Sequence, residues 1–283
     1  MGGWPAVRAW VGTSRAGALV DDARISVMDH GFTVADGVFE TLKLTEAGPF
    51  AVTRHLRRLQ ASAAMLGIAP PPDPVIREAI AEVSVDWRRL GGRHGRLRVT
   101  CTSGHGPLGS DRGEQEPTLV VTASDTSPWE PATTAARVPW PRNERSPLAG
   151  AKTTSYAENV VALRAARDAG ASEALMANTR GDLCEGTSTN VFVVVDGVVL
   201  TPSLASGCLP GITRELVIEW FDAVEQELPF AILDTADEVF LTSSTRDVHP
   251  VVRLDERRWS KVGLVSQGLQ EAFRARAAES IDP

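Results

Sequence analysis

The sequence predicts a two-domain fold of the α+β or α/β class, and three observations carry that expectation. A chain of 283 residues, 43% hydrophobic and 23% charged, is long enough to bury two cores of ordinary size. Its N-terminal half alternates short strand patterns with two amphipathic helical patterns. Between the halves, "SDTSPWEP" is rich in serine, proline and acidic residues and lacks any period, as a linker would. The expected division is a small α+β domain over residues 1–122, a linker over 123–131 and a larger domain over 132–283.

In chain order, "AWVGTSRAGALV" reads as two short strands around a turn, and "GVFETLKLTEAGPFAV" as a hairpin closing near Gly48 and Pro49. Leu56, Leu59, Ala63 and Leu66 in "TRHLRRLQASAAMLGI" have the spacing of a helix face. The proline-rich "APPPDP" then starts a second helix, "VIREAIAEVSVDWRRLGG", which stops at glycine. "GRLRVTCTSG" and "PTLVVTAS" complete the first domain as strands. In the second, "AKTTSYAENVVALRAA" runs into an alanine-rich helix. "EALMANTRGDLCEGTSTNVFVVVDGVVLTP" reads as a strand meander turning at Arg180-Gly181 and Asp196-Gly197. "GCLPGITRELVIEWF" is a turn leading into a helix, and "DEVFLTSSTRDVHPVV" a strand breaking into a hydroxyl-rich turn.

Composition narrows the partners. A net charge of -7 argues against nucleic acid or an anionic membrane. No window reaches the about 18 apolar residues of a membrane span, and the start "MGGWPAVRAWVG" lacks the layout of a signal peptide, so the expected location is cytoplasmic. Cys101, Cys184 and Cys208 are scattered and odd in number, which fits reduced thiols. The 5 histidines show no ligand spacing, and no metal site is expected.

The chemistry starts from a scarcity. Among 29 lysines and arginines, lysine occurs only at Lys43, Lys152 and Lys261. An amine can lose its proton and attack a carbonyl, which a guanidinium cannot. For Lys152 a Schiff base is one role and a snorkelling surface lysine the other. Gly211, Ile212 and Thr213 open a helix, where unpaired amides favour an anion such as phosphate, or where Thr213 simply caps. Ser243, Ser244 and Thr245 offer a second hydroxyl-rich turn. Glu185 lies in "DLCEGTSTNVF", whose alternation puts Glu185, Thr187 and Thr189 on one face and Ser188, Asn190 and Phe192 on the other, unless Gly186 makes a bulge. A buried carboxylate needs a partner, and a protonated ring nitrogen would be one. Amine, anion cup and carboxylate together are what pyridoxal 5'-phosphate requires.

The blocks "MDHGFTVADGVFETLK", "FAVTRHLRRLQASA", "AKTTSYAENVVA", "GDLCEGTSTNVFVV", "LTPSLASGCLPGITRELV" and "DEVFLTSSTRDVHPVV" span nearly the whole chain. In them the sequence resembles the class IV aminotransferase family, the fold-type IV pyridoxal-phosphate enzymes. These include branched-chain aminotransferases, D-amino-acid aminotransferases and 4-amino-4-deoxychorismate lyases. The resemblance implies a small N-terminal α+β domain, a larger C-terminal domain with a meander or barrel-like core, and a homodimer. It implies that Lys152 forms the Schiff base, Glu185 pairs with the pyridine nitrogen, and Arg54 binds the phosphate with Ile212, Thr213, Ser244 and Thr245. Tyr156 is expected near the phenolic oxygen, and Asn190 to fix the strand of Glu185.

The substrate is a small molecule on this reading. D-amino-acid aminotransferases carry an arginine where "VTCTSG" has none at Cys101 or Thr102. A branched-chain pocket would rest on Phe32, Phe39 and tryptophans, Tyr156 being the one tyrosine. "DGVFET", "TSSTRDV" and the short length look more like the lyases. The expected reaction is therefore release of 4-aminobenzoate and pyruvate from aminodeoxychorismate, with transfer of an amino group to a 2-keto acid second. The expected carboxylate ligands are Arg98, Arg112 in "PLGSDRG", and Arg246 with the amides beside it.

Overall fold

A computed structural model describes residues 7–14, 16–112 and 116–283. The first six residues of the N-terminal stretch, Arg15 of its first turn and Gly113 of "PLGSDRG" lie outside the described residues. The chain forms two compact units, one of Met1–Pro128, Ala151–Ser155 and Ile281–Pro283, the other of Trp129–Gly150 and Tyr156–Ser280.

The N-terminal unit contains β1 (Val7–Gly12), β2 (Gly17–Val20), α1 (His30–Thr33), β3 (Gly37–Thr45), β4 (Gly48–Pro49), α2 (Val52–Leu66), α3 (Asp73–Arg89), β5 (His94–Thr102) and β6 (Thr118–Asp125). Its strands form one antiparallel sheet in the order β2-β1-β6-β5-β3-β4. Alternation gives β3 and β5 one apolar face, Val38, Leu42 and Leu44 beside Leu97, Val99 and Cys101. Leu56, Leu59 and Ala63 of α2 and Ile76, Ile80 and Val83 of α3 join the same core. Gly67 ends α2 at φ 66°, in the left-handed region that glycine favours, and its amide closes onto Ala63 and Ala64.

β4 covers β3 only at Leu44 and Thr45. The other end of that edge is taken by residues 152–154. The Phe39 amide donates to the Lys152 carbonyl (3.0 Å) and the Thr154 amide to the Gly37 carbonyl (2.8 Å), with a bridge between Val38 and Thr153. An uncovered strand edge has donors and acceptors to satisfy, and that need draws Lys152 into the N-terminal unit. The sequence places it at the start of the second domain.

The C-terminal unit contains β7 (Thr133–Arg137), α4 (Ala157–Asp168), β8 (Glu173–Ala177), β9 (Leu183–Gly186), β10 (Asn190–Val195), β11 (Val198–Pro202), α5 (Ile212–Phe221), β12 (Val224–Gln226), α6 (Ile232–Thr235), β13 (Glu238–Ser243), β14 (Asp247–Leu254), β15 (Arg257–Arg258) and α7 (Leu264–Glu279). The sheet runs β12-β11-β10-β13-β14-β7-β8-β9, with β15 against β14. It curls, so that β9, at one end of the order, packs beside β10. The expected meander is thus two antiparallel pairs, β8 with β9 and β10 with β11. Asp196 and Gly197, both at positive φ (48° and 78°), make the tight turn of the second pair. Phe192 and Phe240 face each other across β10 and β13 and stack at 4.8 Å. Among the described residues no helix is long and apolar enough to cross a membrane.

Candidate active site

In the N-terminal unit the Lys152 backbone is fixed from two directions, by β3 and by α2. Its amide donates to Ser62 Oγ of α2 (3.0 Å). Its Nζ lies 4.4 Å from the centroid of the Phe39 ring, and the Arg98 guanidinium lies 3.6 Å from the same ring. Phe39 is buried, and the alternation of β3 and β5 puts it on the sheet face that carries Arg98 and Thr100. Arg98 Nε donates to Thr100 Oγ1 (3.1 Å). An amine and a guanidinium both packed against one aromatic ring are cations of the kind that take a carboxylate.

Behind this surface Glu40 occupies a core position of β3 with no exposed area. Arg58 of α2 grips it in a fork, Nε to Oε1 at 2.8 Å and a terminal nitrogen to Oε2 at 2.6 Å, and His55 Nδ1 meets Oε2 at 2.6 Å. Burial pushes the Glu40 carboxyl up, but Arg58 and then His55 outweigh it and hold it at about 2. Burial lowers His55, Glu40 opposes this, and the Arg58 and Lys152 charges lower it further.

In the C-terminal unit the backbone of one residue, Leu209, organises the groups around Glu185. The Leu209 amide donates to Glu185 Oε2 (2.9 Å), and its carbonyl accepts from Asn190 Nδ2 (2.8 Å). Glu185 Oε1 pairs with Arg142 Nε at 3.1 Å. Gly211 follows, and a Cβ there would lie 1.9 Å from Asn190 Oδ1, so only glycine permits this approach. Gly211 offers no side-chain cap to α5, so the first-turn amides of Ile212 and Thr213 are presented by a helix start with its positive dipole end, an arrangement that takes an anion. Ser244 and Thr245 form the half-buried turn between β13 and β14. Tyr156 stands at the N-cap of α4. The donor set fits a phosphorylated pyridine: amides and hydroxyls for the phosphate, and a cation-held carboxylate for a ring N–H.

Several of the expected site residues meet partners within the protein. Arg54 Nε donates to the Pro283 carbonyl (2.9 Å), at a helix start where Thr53 also binds Asp282. Arg112 is not open to a substrate in this structure, because its guanidinium forks onto Asp36 (Nε to Oδ2 2.5 Å) and donates to the Leu66 carbonyl (2.7 Å). The buried side of Asp36 needs that cation. Burial raises the Asp36 carboxyl, and the bonds from Arg112 and Ser103 bring it below its usual range. The pair lines a cleft of about 490 Å³ with His30, Val34 and Ser110. Phe32 is 68% exposed, because the short α1 turns His30 inward instead.

Arg246 is turned away from solvent, 3.5 Å from Glu173 and 4.0 Å over the Trp129 ring. A buried carboxylate demands a counter-charge, and Arg246 supplies it. Its amide, expected to hold a substrate carboxylate, closes the turn onto the Ser243 carbonyl (3.2 Å). Finally, Thr187, Ser188 and Thr189 do not alternate, because the strand stops at Gly186 and all three hydroxyls turn onto Glu173. Glu40, His55, Arg58, Arg142, Asn159 and Glu173 are absent from the sequence reading. A signal existed for two of them: Glu40 directly follows Val38 and Phe39, and Glu173 directly precedes the apolar run Ala174 to Ala177, so each is a charge at a strand position next to apolar residues.

Comparison with known proteins places this arrangement. The family described as Amino-transferase class IV matches residues 37–254, and the chain belongs to that family, whose members are pyridoxal-phosphate-dependent enzymes. A putative branched-chain-amino-acid aminotransferase of Methanocaldococcus jannaschii is 34% identical over 272 residues, covering 91% of this chain and 93% of that protein. Among solved structures, a fold IV-transaminase from Curtobacterium pusillum superposes with a TM-score of 0.87 at 28% identity, over 97% of this chain and 99% of that one. A putative 4-amino-4-deoxychorismate lyase from Legionella pneumophila gives 0.83 at 25% identity, over 90% and 96%.

Proposed function

We propose that the protein is an aminotransferase that moves an amino group between an amino acid and a 2-keto acid. The observation that carries this reading is the Lys152 amine and the Arg98 guanidinium on one Phe39 ring, 4.4 and 3.6 Å from its centroid. The Methanocaldococcus relative and the Curtobacterium structure, described as a putative aminotransferase and a transaminase, support amino transfer over the lyase reaction that the sequence puts first. The lyase reading keeps the support of the Legionella structure.

Bound pyridoxal phosphate supplies the electron sink for a carbanion at the substrate carbon. Lys152 is the group that takes the proton from that carbon and returns one, since its amine can act as a base where a guanidinium cannot. Glu185, fixed by Arg142 and Leu209, holds the proton on the ring nitrogen. Ile212, Thr213, Ser244 and Thr245 take the phosphate, Asn190 sets Glu185 in place, and Tyr156 lies by the phenolic oxygen. Arg98 takes the substrate carboxylate. A homodimer is part of this proposal. Exposed Val27, Phe32 and Leu108, on segments joined by the Asp29–His105 bridge, support it, and light scattering of the purified protein tests it.

The reaction is decided by offering the loaded enzyme D- and L-amino acids in separate vessels and aminodeoxychorismate in another. Conversion of the cofactor to its amine form with an amino acid is the expected result. Aminobenzoate and pyruvate from the third vessel, with no amine form elsewhere, would replace aminotransferase by lyase. Lys152→Ala is expected to abolish turnover in a folded protein, and Arg98→Lys to raise the Michaelis constant far more than Arg112→Lys, whose parent is already paired. Substantial turnover in Lys152→Ala would remove the lysine from the mechanism.

A further inference from the structure

The polar network of the C-terminal unit converges on a carboxylate that the functional reading leaves unused. Glu173, at the start of β8, is fully buried. Its Oε1 accepts from the amides of Ala174 and Thr187, both at 3.1 Å, and from the Thr187 hydroxyl. Its Oε2 accepts from the hydroxyls of Ser188 (3.0 Å) and Thr189 (3.3 Å), and Arg246 stands 3.5 Å away. Three consecutive side chains cannot converge on one point from an extended strand, in which neighbours project to opposite faces. The chain between Glu185 and Asn190 is therefore bent around Glu173. Arg246 extends the same carboxylate to the turn that bears Ser244 and Thr245. From the other side, Asn159 holds the loop by donating Nδ2 to the Thr187 carbonyl, and its Oδ1 accepts from Arg142, the partner of Glu185.

We propose that Glu173 is a positioning residue. It sets the loop of Thr187, Ser188 and Thr189 and the turn of Ser244, Thr245 and Arg246, and through them the contacts of Glu185, Asn190, Ser244 and Thr245 with pyridoxal phosphate. The inference rests on the reading above that gives those four residues to the cofactor. A carboxylate suits the task because its acceptor-only oxygens take hydroxyl, amide and guanidinium donors together, whereas an amide would present N–H to groups that are themselves donors.

Glu173→Gln keeps the size and removes the charge. Glu173→Gln/Arg246→Met removes the stranded cation as well, so a purely structural need is relieved while the loop loses its anchor. Apo protein of each is titrated with pyridoxal phosphate, followed by visible absorbance and by the induced circular dichroism of the bound chromophore. The expected result is a dissociation constant raised about tenfold or more in both, a loss on the scale of one charge-assisted hydrogen bond. The double variant is expected to recover melting temperature without recovering affinity. Binding within twofold of wild type, with the wild-type dichroism, in either folded variant overturns the proposal. If neither folds, Thr187→Val/Thr189→Val removes two arms of the cage. Weakened binding there supports the positioning role, and unchanged binding overturns it. Glu185→Gln and Ser244→Ala serve as controls: wild-type binding in both overturns the underlying assignment of cofactor contacts, whereas wild-type binding by the Glu173 variants alone overturns only the positioning role.

Discussion

Glu40 in the N-terminal unit and Glu173 in the C-terminal unit are both sealed from solvent, yet they are stabilised differently. Glu40 is held by two side chains of one helix, Arg58 in a fork and His55 on the shared oxygen. Glu173 is held by hydroxyls and amides, with its one arginine at 3.5 Å. Cations from α2 lock a helix to a strand, and a ring of short hydroxyls bends a loop. Charge pairing therefore fixes the placement of whole elements in the first unit, while hydrogen bonding shapes backbone in the second.

The largest break in this comparison is Glu40→Gln. It leaves Arg58 buried without its anion, and losing one member of such a pair costs about 3–5 kcal/mol. At this chain length that is a fall of about 10 °C in melting temperature, measured by calorimetry on the apo protein. A shift of only a degree or two would show that Arg58 reaches other acceptors.

Acid sharpens the contrast. Glu40 is held at about 2 against an ordinary 4.5, so its contribution is complete above pH 4.5 and is lost as pH falls through about 2. His249 in the second unit is held down at about 4 against 6.5, first by burial and then by the charge of Arg246. The unfolded histidine binds its proton first, so this contribution is lost earlier, as pH falls from 6.5 towards 4. Melting temperature should decline across that window, to which His55 of the first unit, also held below its usual range by burial, contributes as well, and His249→Gln should make the decline shallower. A wild-type profile that is level between pH 6.5 and 4 would remove His249 from the account.

The smallest effect belongs to the hydroxyl cage. Thr187→Val removes one of several donors to Glu173 and should cost about 1 kcal/mol. Ser188→Ala, at a more exposed position, should cost about half as much. Chemical denaturation of both variants checks the order. Equal and large losses would mean that the cage acts as one cooperative unit.

Much of the fold is legible in the chain. The apolar stripe of α2, the proline start and glycine stop of α3, and the Asp196-Gly197 turn each follow from local rules. The helix α7 has no apolar period to show in the sequence, because its buried face is Ser266, Gln270 and Phe273. Gln270 can be buried because its amide donates to the Val248 carbonyl at 2.9 Å and the Pro131 carbonyl at 3.3 Å. Arg112 and Arg246 read as open cations, because sequence shows a charge and not the Asp36 or Glu173 that meets it.

The sequence by itself determined the family, the scarcity of lysine among many arginines that singles out Lys152, and the alternation that puts Phe39 and Arg98 on one sheet face. Those are properties of residue identity and of spacing within single elements, where neighbours along the chain decide which way a side chain points. Tertiary structure decided that Lys152 joins the N-terminal unit, that Glu40 is neutralised by α2, and that the strand after Glu185 breaks around Glu173. Each of these depends on a partner distant in sequence, such as Glu40 for Arg58 or Phe39 for Lys152. A buried charge or an uncovered strand edge must find a partner, and which partner it finds is settled only when the chain has folded.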